Sequence, residues 1–416
     1  MSAHAEPVGG RIFTRPFRVL FVLFALAGVA ILWRLLTGLG QVTALNDGYP
    51  WGLWIAFDVV TGTALACGGY AMALMVYIVN KGEYHPLVRP AVLTSALGYT
   101  LAGIGIGLDV GRWWNIWRVP LFFWHWNLSS VLLEVALCVM AYILVLWIEL
   151  SPAFLEKAQA SGPPRLRQFA DRALPILNRT LLWIIALGVL LPTMHQSSLG
   201  SLMLLAGPRL HPLWNTGWLP LLFLISCIAM GFAVVIFEAA LSSLLLGRRP
   251  EMPMLSGIAR AMVPIVLLYP ALRLADIAWQ GQLGLLFAFD RFSVMALLEL
   301  ALAIAPGILL MSPTRRASLG SLFRAAMLMM LAGGLYRFDT YLVAFRPGDN
   351  WSYFPSVPEL TITIGLVAAE IMVYIALIKV FPILSGAPSF GGSAGAEPPA
   401  TEKSAAEKAG AGWQPA

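Results

Sequence analysis

Residues 217–246 read GWLPLLFLISCIAMGFAVVIFEAALSSLLL, a run in which Glu238 is the only charged side chain. A helix needs about 20 consecutive, mostly apolar residues to cross the roughly 30 Å hydrocarbon core of a bilayer. This run is therefore long enough to cross a membrane as one helix.

The rest of the chain repeats this pattern. Of its 416 residues, 59% are hydrophobic and 12% are charged, whereas an average soluble domain has about 25% charged residues. The apolar runs predict an all-α integral membrane protein with ten transmembrane helices. They lie at about 17–37, 53–79, 90–109, 127–149, 180–205, 217–246, 258–279, 289–311, 322–345 and 358–383.

The basic residues predict how these helices are oriented. If the N-terminus is cytoplasmic, nineteen of the 27 Lys and Arg residues fall in cytoplasmic segments. Cytoplasmic loops of membrane proteins carry such an excess, so both termini are expected in the cytoplasm. Because the same residues are scattered between apolar runs, they do not form a basic patch for nucleic acid.

An internal repeat predicts the organisation of the helices. Matching residues recur at offsets of 167, 167 and 165, in the pairs Trp51 and Trp218, Asp109 and Asp276, and Glu134 and Glu299. Four predicted helices separate the copies, so the repeat is parallel. We expect a first four-helix bundle at about 53–205 and a second at about 217–345, flanked by the first and tenth helices. The membrane domain, 17–384, is expected to contain a polar cytoplasmic linker at 150–178. A cytoplasmic N-terminal tail at 1–16 and a disordered cytoplasmic tail at 385–416 are expected on either side of it.

The cysteines exclude a disulfide scaffold, a zinc knuckle or an iron–sulfur cluster held by this chain alone. Cys67, Cys138 and Cys227 are isolated in apolar runs and show no C-x-x-C spacing, which iron–sulfur and zinc sites usually need. Any electrons that the protein handles must therefore come from another subunit.

Polar residues gather at the predicted extracytoplasmic ends of the helices. An ionisable side chain in the hydrocarbon region costs about 2.5–3.5 kcal/mol on insertion scales, so each one suggests a function. Histidine can donate and exchange protons near neutral pH, and a nearby carboxylate can fix its tautomer. A quinone needs such groups beside an apolar slot. The candidate quinone-binding and proton-handling residues are Asp58, Asp109, Arg112, His125, His195 and Gln196. The structural alternative is ion pairing between helices, as predicted for Arg273 with Asp276 and for Arg337 with Asp339.

Deeper carboxylates interrupt the even-numbered helices. Glu134, Glu238 and Glu299 are candidates for a proton relay, and Glu370 has a similar setting. Glu134 follows His125 by nine residues, which predicts a position about 13 Å deeper at 1.5 Å per helical residue. The alternative is that these carboxyls are protonated and join helices by hydrogen bonds.

Two segments resemble a known family. Residues 46–62, NDGYPWGLWIAFDVVTG, and residues 194–200, MHQSSLG, resemble the NrfD/polysulfide reductase membrane subunits, most closely the HybB-type hydrogenase members. The resemblance covers about 11–384. It implies an inner-membrane subunit of a periplasm-facing uptake nickel–iron hydrogenase.

The resemblance also implies partners and a substrate. Electrons from the large and small hydrogenase subunits would pass through a ferredoxin-like iron–sulfur subunit to quinone, commonly menaquinone, bound near the periplasmic face. Whether proton translocation accompanies this step stays open. Family members are often labelled cytochrome b, but the resemblance implies a haem-free module. Asp58 and His195 lie in the two segments that resemble the family, so the resemblance implies that these two residues bind quinone or handle protons.

Two other functions stay open at this point. In the first, the chain is a haem b protein in which His125 and His195 are the axial ligands. In the second, the ten helices, the repeat and the buried glutamates belong to an ion or solute transporter.

Overall fold

The computed structural model describes residues 5–384, and their regular structure is helical. Ten of the helices in this part of the chain are long and apolar enough to cross a membrane, which confirms the predicted number. They are α1 Arg15–Thr37, α2 Trp54–Ile78, α3 Gly82–Asp109, α4 Val131–Ser161, α5 Pro164–Leu204, α6 Leu219–Leu246, α7 Met252–Trp279, α8 Arg291–Met311, α9 Leu319–Val343 and α10 Val357–Val380. We call the face at which α1 begins the N-terminal face, and the other the opposite face.

The helices form two groups of four and a flanking pair. In the first bundle α2 packs on α3 and α5, and α4 packs on α3 and α5. In the second bundle α6 contacts α7 and α9, and α8 contacts the same two helices. The bundles meet where α2 and α5 contact α6, while α1 and α10 pack on each other and α10 also contacts α3.

Small residues and one arginine hold α1 against its neighbours. A Cβ atom on Gly365 of α10 would overlap Ala27 of α1, so the glycine permits a close approach. Near the end of α1, Arg34 is buried and donates hydrogen bonds to the carbonyl oxygens of Leu108 and Val110, both at 2.8 Å. These contacts attach α1 to the end of α3.

The predicted linker at 150–178 is wrong, because α4 and α5 continue through it and only residues 162–163 lie between them. The two helices contain 31 and 41 residues, or about 46 and 61 Å at 1.5 Å per residue. Both exceed the roughly 30 Å hydrocarbon core, so the pair extends beyond the N-terminal face. The polar residues of this stretch include good helix formers such as Glu, Arg, Gln and Ala.

Three helical segments are wound more widely than an α-helix. Trp54–Thr61 and Leu74–Ile78 of α2 are π-helical, and so is Asp339–Val343 at the end of α9. Such segments are frequent at functional sites. Two of the three contain a buried aspartate, Asp58 or Asp339.

The chain ends are only partly described. Residues 6, 8 and 9 donate backbone hydrogen bonds to carbonyl oxygens of residues 384, 378 and 379, so part of the predicted N-terminal tail lies along the end of α10. The predicted tail at 385–416 lies outside the described residues.

Candidate functional site

The histidine of α5 is enclosed within the first bundle. His195 has no exposed surface, its Nδ1 lies 2.8 Å from the carbonyl oxygen of Leu191, and its Nε2 lies 2.7 Å from the hydroxyl of Tyr99. A carbonyl oxygen only accepts, so Nδ1 carries the proton and Nε2 accepts from Tyr99. Both ring nitrogens of His195 are therefore engaged within the protein.

The neighbouring Gln196 connects the two bundles. Its Nε2 donates to Thr63 Oγ1 of α2 at 3.0 Å, while its Oε1 accepts from Arg337 Nη2 of α9 at 3.4 Å. One turn later, a Cβ on Gly200 would come within 2.6 Å of the Leu219 carbonyl oxygen. The glycine thus lets α5 approach α6 closely enough for this amide to reach the second bundle.

Arg337 is held by α6 rather than by the predicted ion pair with Asp339. It donates to Ser226 Oγ at 2.9 Å and to the Phe223 carbonyl oxygen at 2.7 Å, and its guanidinium lies 5.0 Å from the Phe223 ring centre. The predicted pairing was wrong because Arg337 and Asp339, two residues apart on a helix, do not face each other.

The predicted pair of Arg273 with Asp276 is also wrong. Arg273 forms a buried ion pair with Glu299 of α8, and Trp214 Nε1 donates to the other carboxylate oxygen at 3.1 Å. Asp339 is buried beside Glu299, so two carboxyl groups lie together there. Glu299 is therefore part of a polar cluster within the second bundle.

Asp58 lies in a different place from His195. Its Oδ2 accepts from Thr363 Oγ1 of α10 at 2.8 Å, whereas His195 faces Tyr99 of α3. Asp58 and His195 lie in the two segments that resemble the family, but no hydrogen bond joins them in the described part of the chain. Both belong to helices of the first bundle, but Asp58 faces the flanking helix and His195 faces the bundle interior.

Asp58 lines a cleft of 420 Å³ between α2, α3, α6, α9 and α10. Most of its lining is apolar, and several lining side chains, including Leu245 and Ile371, are exposed. The cleft therefore opens at the outer surface of the helices, where lipid would lie. Its polar lining residues are Asp58, Thr94, Ser242, Glu238, Glu370 and Tyr374.

Glu238 lies in the part of this cleft nearer the N-terminal face. It accepts hydrogen bonds from Thr94 Oγ1, at 2.9 Å, and from the hydroxyl of Tyr374. Glu370 lies nearby, close to Gly98 of α3. Two of the deep glutamates thus face one apolar cleft, together with Asp58.

Asp109 belongs to a cluster at the opposite face. It lies near Arg34 and Glu359, and its buried Oδ1 has no hydrogen-bond partner among the described residues. Glu359 accepts from the backbone N–H of Ala44 at 2.9 Å and from the Tyr353 hydroxyl at 2.6 Å. Burial and the adjacent Glu359 raise the pKa of the Tyr353 hydroxyl, which stays a donor. Asp58 and Asp109 therefore both face α10, one helical turn apart along Thr363 and Glu359.

Three sequence candidates lie away from these clusters. Arg112 and His125 are exposed in the segment between α3 and α4, where the His125 ring contacts Phe122 and Trp124. Glu134 lies in the first turn of α4. Its predicted depth was wrong because residues 126–130 are not helical, so a rise of 1.5 Å per residue does not apply.

The residues do not fit a haem held by His125 and His195. His195 uses both ring nitrogens within the protein, whereas His125 is exposed in a loop. Axial ligation would need a free lone pair from each residue on opposite sides of one iron. In residues 5–384, no group of three or more His, Cys, Asp or Glu side chains is placed to hold a metal ion.

Sequence reasoning missed several residues of these clusters. Tyr99, Thr63 and Thr363 are single polar groups in apolar helices, and no spacing pattern sets them apart. Glu359 could have been found, because Ser356 followed three residues later by Glu359 has the pattern of a capping box, and the structure shows that box.

Comparisons with known proteins agree with this architecture. The model of the family described as polysulphide reductase, NrfD, matches residues 41–338. A protein of Escherichia coli K12, named probable Ni/Fe-hydrogenase 2 b-type cytochrome subunit, is 42% identical over 92% of this chain and 96% of its own length. A protein of Nitratidesulfovibrio vulgaris Hildenborough, named menaquinone reductase, integral membrane subunit, is 28% identical over 87% of this chain and 90% of its own.

A more distant similarity covers half of the chain. One subunit of the selenate reductase of Mesobacillus selenatarsenatis is 23% identical over 53% of this chain and 55% of its own length. The family match covers more than half of the chain, and the Escherichia coli relative is similar along almost all of it. This ten-helix chain therefore belongs to the polysulphide reductase NrfD family of membrane subunits.

Proposed function

We propose that this chain is the quinone-binding membrane subunit of an uptake nickel–iron hydrogenase and passes electrons from an iron–sulfur partner to a quinone. The observation that carries the proposal is the apolar cleft that opens towards lipid and contains Asp58. Its 420 Å³ falls within the roughly 300–1,000 Å³ typical of small-molecule pockets. A quinone dissolved in the membrane can enter such a cleft from the side.

The position of Asp58 suits electron delivery from outside the membrane. It is four residues beyond the start of α2, in the π-helical segment that opens the helix, and so lies within about one turn of the helix start. A quinone ring beside Asp58 is therefore close to a partner docked on the opposite face, while the isoprenoid tail lies along the apolar walls. The name of one relative, a menaquinone reductase subunit, supports menaquinone as the substrate, and the name of another, a Ni/Fe-hydrogenase 2 subunit, supports the hydrogenase partner.

The chain's own residues supply proton chemistry. Reduction of one quinone consumes two electrons and two protons, and the electrons come from the partner. Thr363 orients the Asp58 carboxyl, which can give a proton to a quinone oxygen at the wall of the cleft. His195, Gln196 and Tyr99 form a separate hydrogen-bonded group in the first bundle and serve as a second proton-handling site. Glu238 lies farther along the cleft and is the best-placed of the proposed relay residues.

The partners and the location follow from the same proposal. A ferredoxin-like iron–sulfur subunit, carrying electrons from the large and small hydrogenase subunits, docks on the opposite face. That face is periplasmic, and both termini are on the cytoplasmic side of a bacterial inner membrane, as the distribution of Lys and Arg predicts. The chain carries no haem in this proposal. A stoichiometric b-type band in the reduced-minus-oxidised spectrum of the complex would contradict that part.

The test is Asp58→Asn in the intact complex. General acid catalysis typically contributes 10²–10⁴-fold, so we expect hydrogen-dependent reduction of a menaquinone analogue to fall by at least about tenfold. Hydrogen-dependent reduction of a soluble dye, which bypasses the membrane subunit, should not change. Asp290→Asn is the matched control, because Asp290 caps α8 near the same face and Asn caps helices equally well. Normal quinone reduction by Asp58→Asn would place the site elsewhere.

A further inference from the structure

Two further cavities lie at the N-terminal face, away from the cleft of Asp58. A groove of 590 Å³ runs between the end of α2, the middle of α6 and the first half of α7. Its walls are mainly apolar and include Leu74, Phe232 and Ile265. At the N-terminal face it meets a chamber of 500 Å³, which reaches across α7 to the short segment between α8 and α9.

The two cavities meet at a small set of residues. Glu83, Tyr84, Gly257 and Arg260 line both. The Tyr84 hydroxyl packs directly against Gly257, where a Cβ would overlap it, and so connects α7 to the start of α3. Arg260 is exposed at the junction of the apolar groove and the polar chamber.

The charge around this junction is positive. Lys81 lines the groove and Arg316 lines the chamber, so with Arg260 three cations face one carboxylate, Glu83. Neither Lys81 nor Arg260 forms an ion pair with the described acidic residues. Arg316 also donates to the carbonyl oxygens of residues 310 and 311, which holds it at the edge of the chamber.

We propose that this composite cavity binds one anionic phospholipid. The acyl chains occupy the apolar groove, the phosphodiester contacts Arg260 and Lys81, and the headgroup occupies the chamber. Basic pockets between transmembrane helices on the cytoplasmic side bind anionic lipid headgroups in this way. A zwitterionic lipid would bring its own cation among three positive side chains, so the net positive charge selects an anionic lipid.

The groove has a suitable depth for acyl chains. Arg260 is eight residues, and Ile265 thirteen residues, beyond the start of α7, or about 12 and 20 Å at 1.5 Å per residue. An arginine side chain at the shallower of these positions can turn its guanidinium towards the membrane interface while its stem covers apolar surface. The cavity lies where α2 of the first bundle meets α6 of the second, so a bound lipid would join the two bundles. This site does not depend on the proposed quinone chemistry.

The experiment is native mass spectrometry of the full-length chain, titrated in detergent with phosphatidylglycerol or phosphatidylcholine. We expect one tightly bound phosphatidylglycerol and much weaker binding of phosphatidylcholine. Arg260→Gln and Lys81→Gln should each weaken phosphatidylglycerol binding about fivefold, which corresponds to about 1 kcal/mol per basic residue near an anionic lipid. Arg324→Gln is the control, because Arg324 is exposed near the same face and its side chain bonds only within α9.

A second variant tests the groove without changing charge. Ala261→Trp should fill the groove and abolish tight binding, whereas Leu268→Trp, on exposed surface of the same helix outside the groove lining, should not. Equal binding of the two lipids by the wild-type chain would overturn the proposal, as would equal losses in Arg260→Gln and Arg324→Gln. Displacement of the lipid by millimolar inorganic phosphate would also overturn it, because the acyl chains would then contribute nothing. If Arg260→Gln does not fold, two results still test the proposal: the comparison of the two lipids on the wild-type chain, and the binding of phosphatidylglycerol by Lys81→Gln.

Discussion

At the scale of single residues, the buried histidine depends on one hydroxyl. Tyr99 donates to His195 Nε2 at 2.7 Å, in surroundings without access to water. Loss of one partner from a buried hydrogen bond leaves the other unsatisfied and costs about 1–3 kcal/mol. Gln196 Nε2 lies 3.2 Å from the same nitrogen and has two N–H donors, which Thr63, Tyr99 and this nitrogen share. Tyr99, at the shorter distance, is the principal partner of His195 Nε2.

Tyr99→Phe should therefore destabilise the protein by about 1–3 kcal/mol. The measurement is the apparent melting temperature of the purified chain in detergent, followed by tryptophan fluorescence. Tyr142→Phe is the matched control, because Tyr142 is also buried and its ring lies 4.5 Å from that of Tyr99. Equal melting temperatures for the two variants would mean that the Tyr99 hydroxyl contributes nothing through His195.

The sequence was enough to pick out the candidate residues as polar groups in apolar helices. It was not enough to predict which of them lie together in space. His195, Gln196 and Asp58 all contact other polar groups in the structure. Their separation into two sites depends on how α2 is rotated, and its π-helical turn shifts the face on which each later residue lies. A regular 3.6-residue period cannot anticipate that shift.

At the scale of elements, the segment between α5 and α6 contains a second buried histidine. His211 stacks on Phe292 of α8, with ring centres 4.2 Å apart, and its Nδ1 accepts the Leu213 N–H at 3.3 Å. Burial lowers the pKa of His211, with Arg346 and Arg291 acting in the same direction and Asp290 against them. His211 lies between the two predicted bundle ranges, 53–205 and 217–345, and the structure packs it against the second bundle.

The lowered pKa of His211 predicts a pH dependence. As the pH falls through the usual histidine value of about 6.5, the unfolded chain takes up a proton that the folded chain resists, so stability decreases. The melting temperature of His211→Asn should change less between pH 7.5 and 5.5 than that of the wild type. His85→Asn, which removes an exposed histidine, is the control. An unchanged pH dependence in His211→Asn would contradict the prediction.

The sequence predicted the number of helices well and their ends less well. Apolar composition decides whether a segment crosses the membrane, so all ten spans were found. Composition does not decide where a helix stops in water. The start of α5 at Pro164 was therefore missed by sixteen residues relative to the predicted 180, since helix formers continue past the apolar part.

At the scale of the whole molecule, the orientation in the membrane can be tested with cysteine reporters. The three native cysteines are buried, so they should react little with a membrane-impermeant maleimide. Asn127→Cys, between α3 and α4, should be labelled from the periplasm in cells with a permeabilised outer membrane. Gln168→Cys, in the extended part of α5, should be labelled only after the inner membrane is opened. The reverse pattern would invert the proposed topology.

The bridge from Gln196 to Arg337 also has an evolutionary consequence. Residues of the two bundles diverge most freely where the bundles do not touch, and this hydrogen bond lies where they do. A change of Gln196 to an apolar residue would leave a buried guanidinium without one acceptor, at a cost that selection would oppose. We expect that homologues which lack one of these two residues also differ at the other. The two bundles would then change together at this contact.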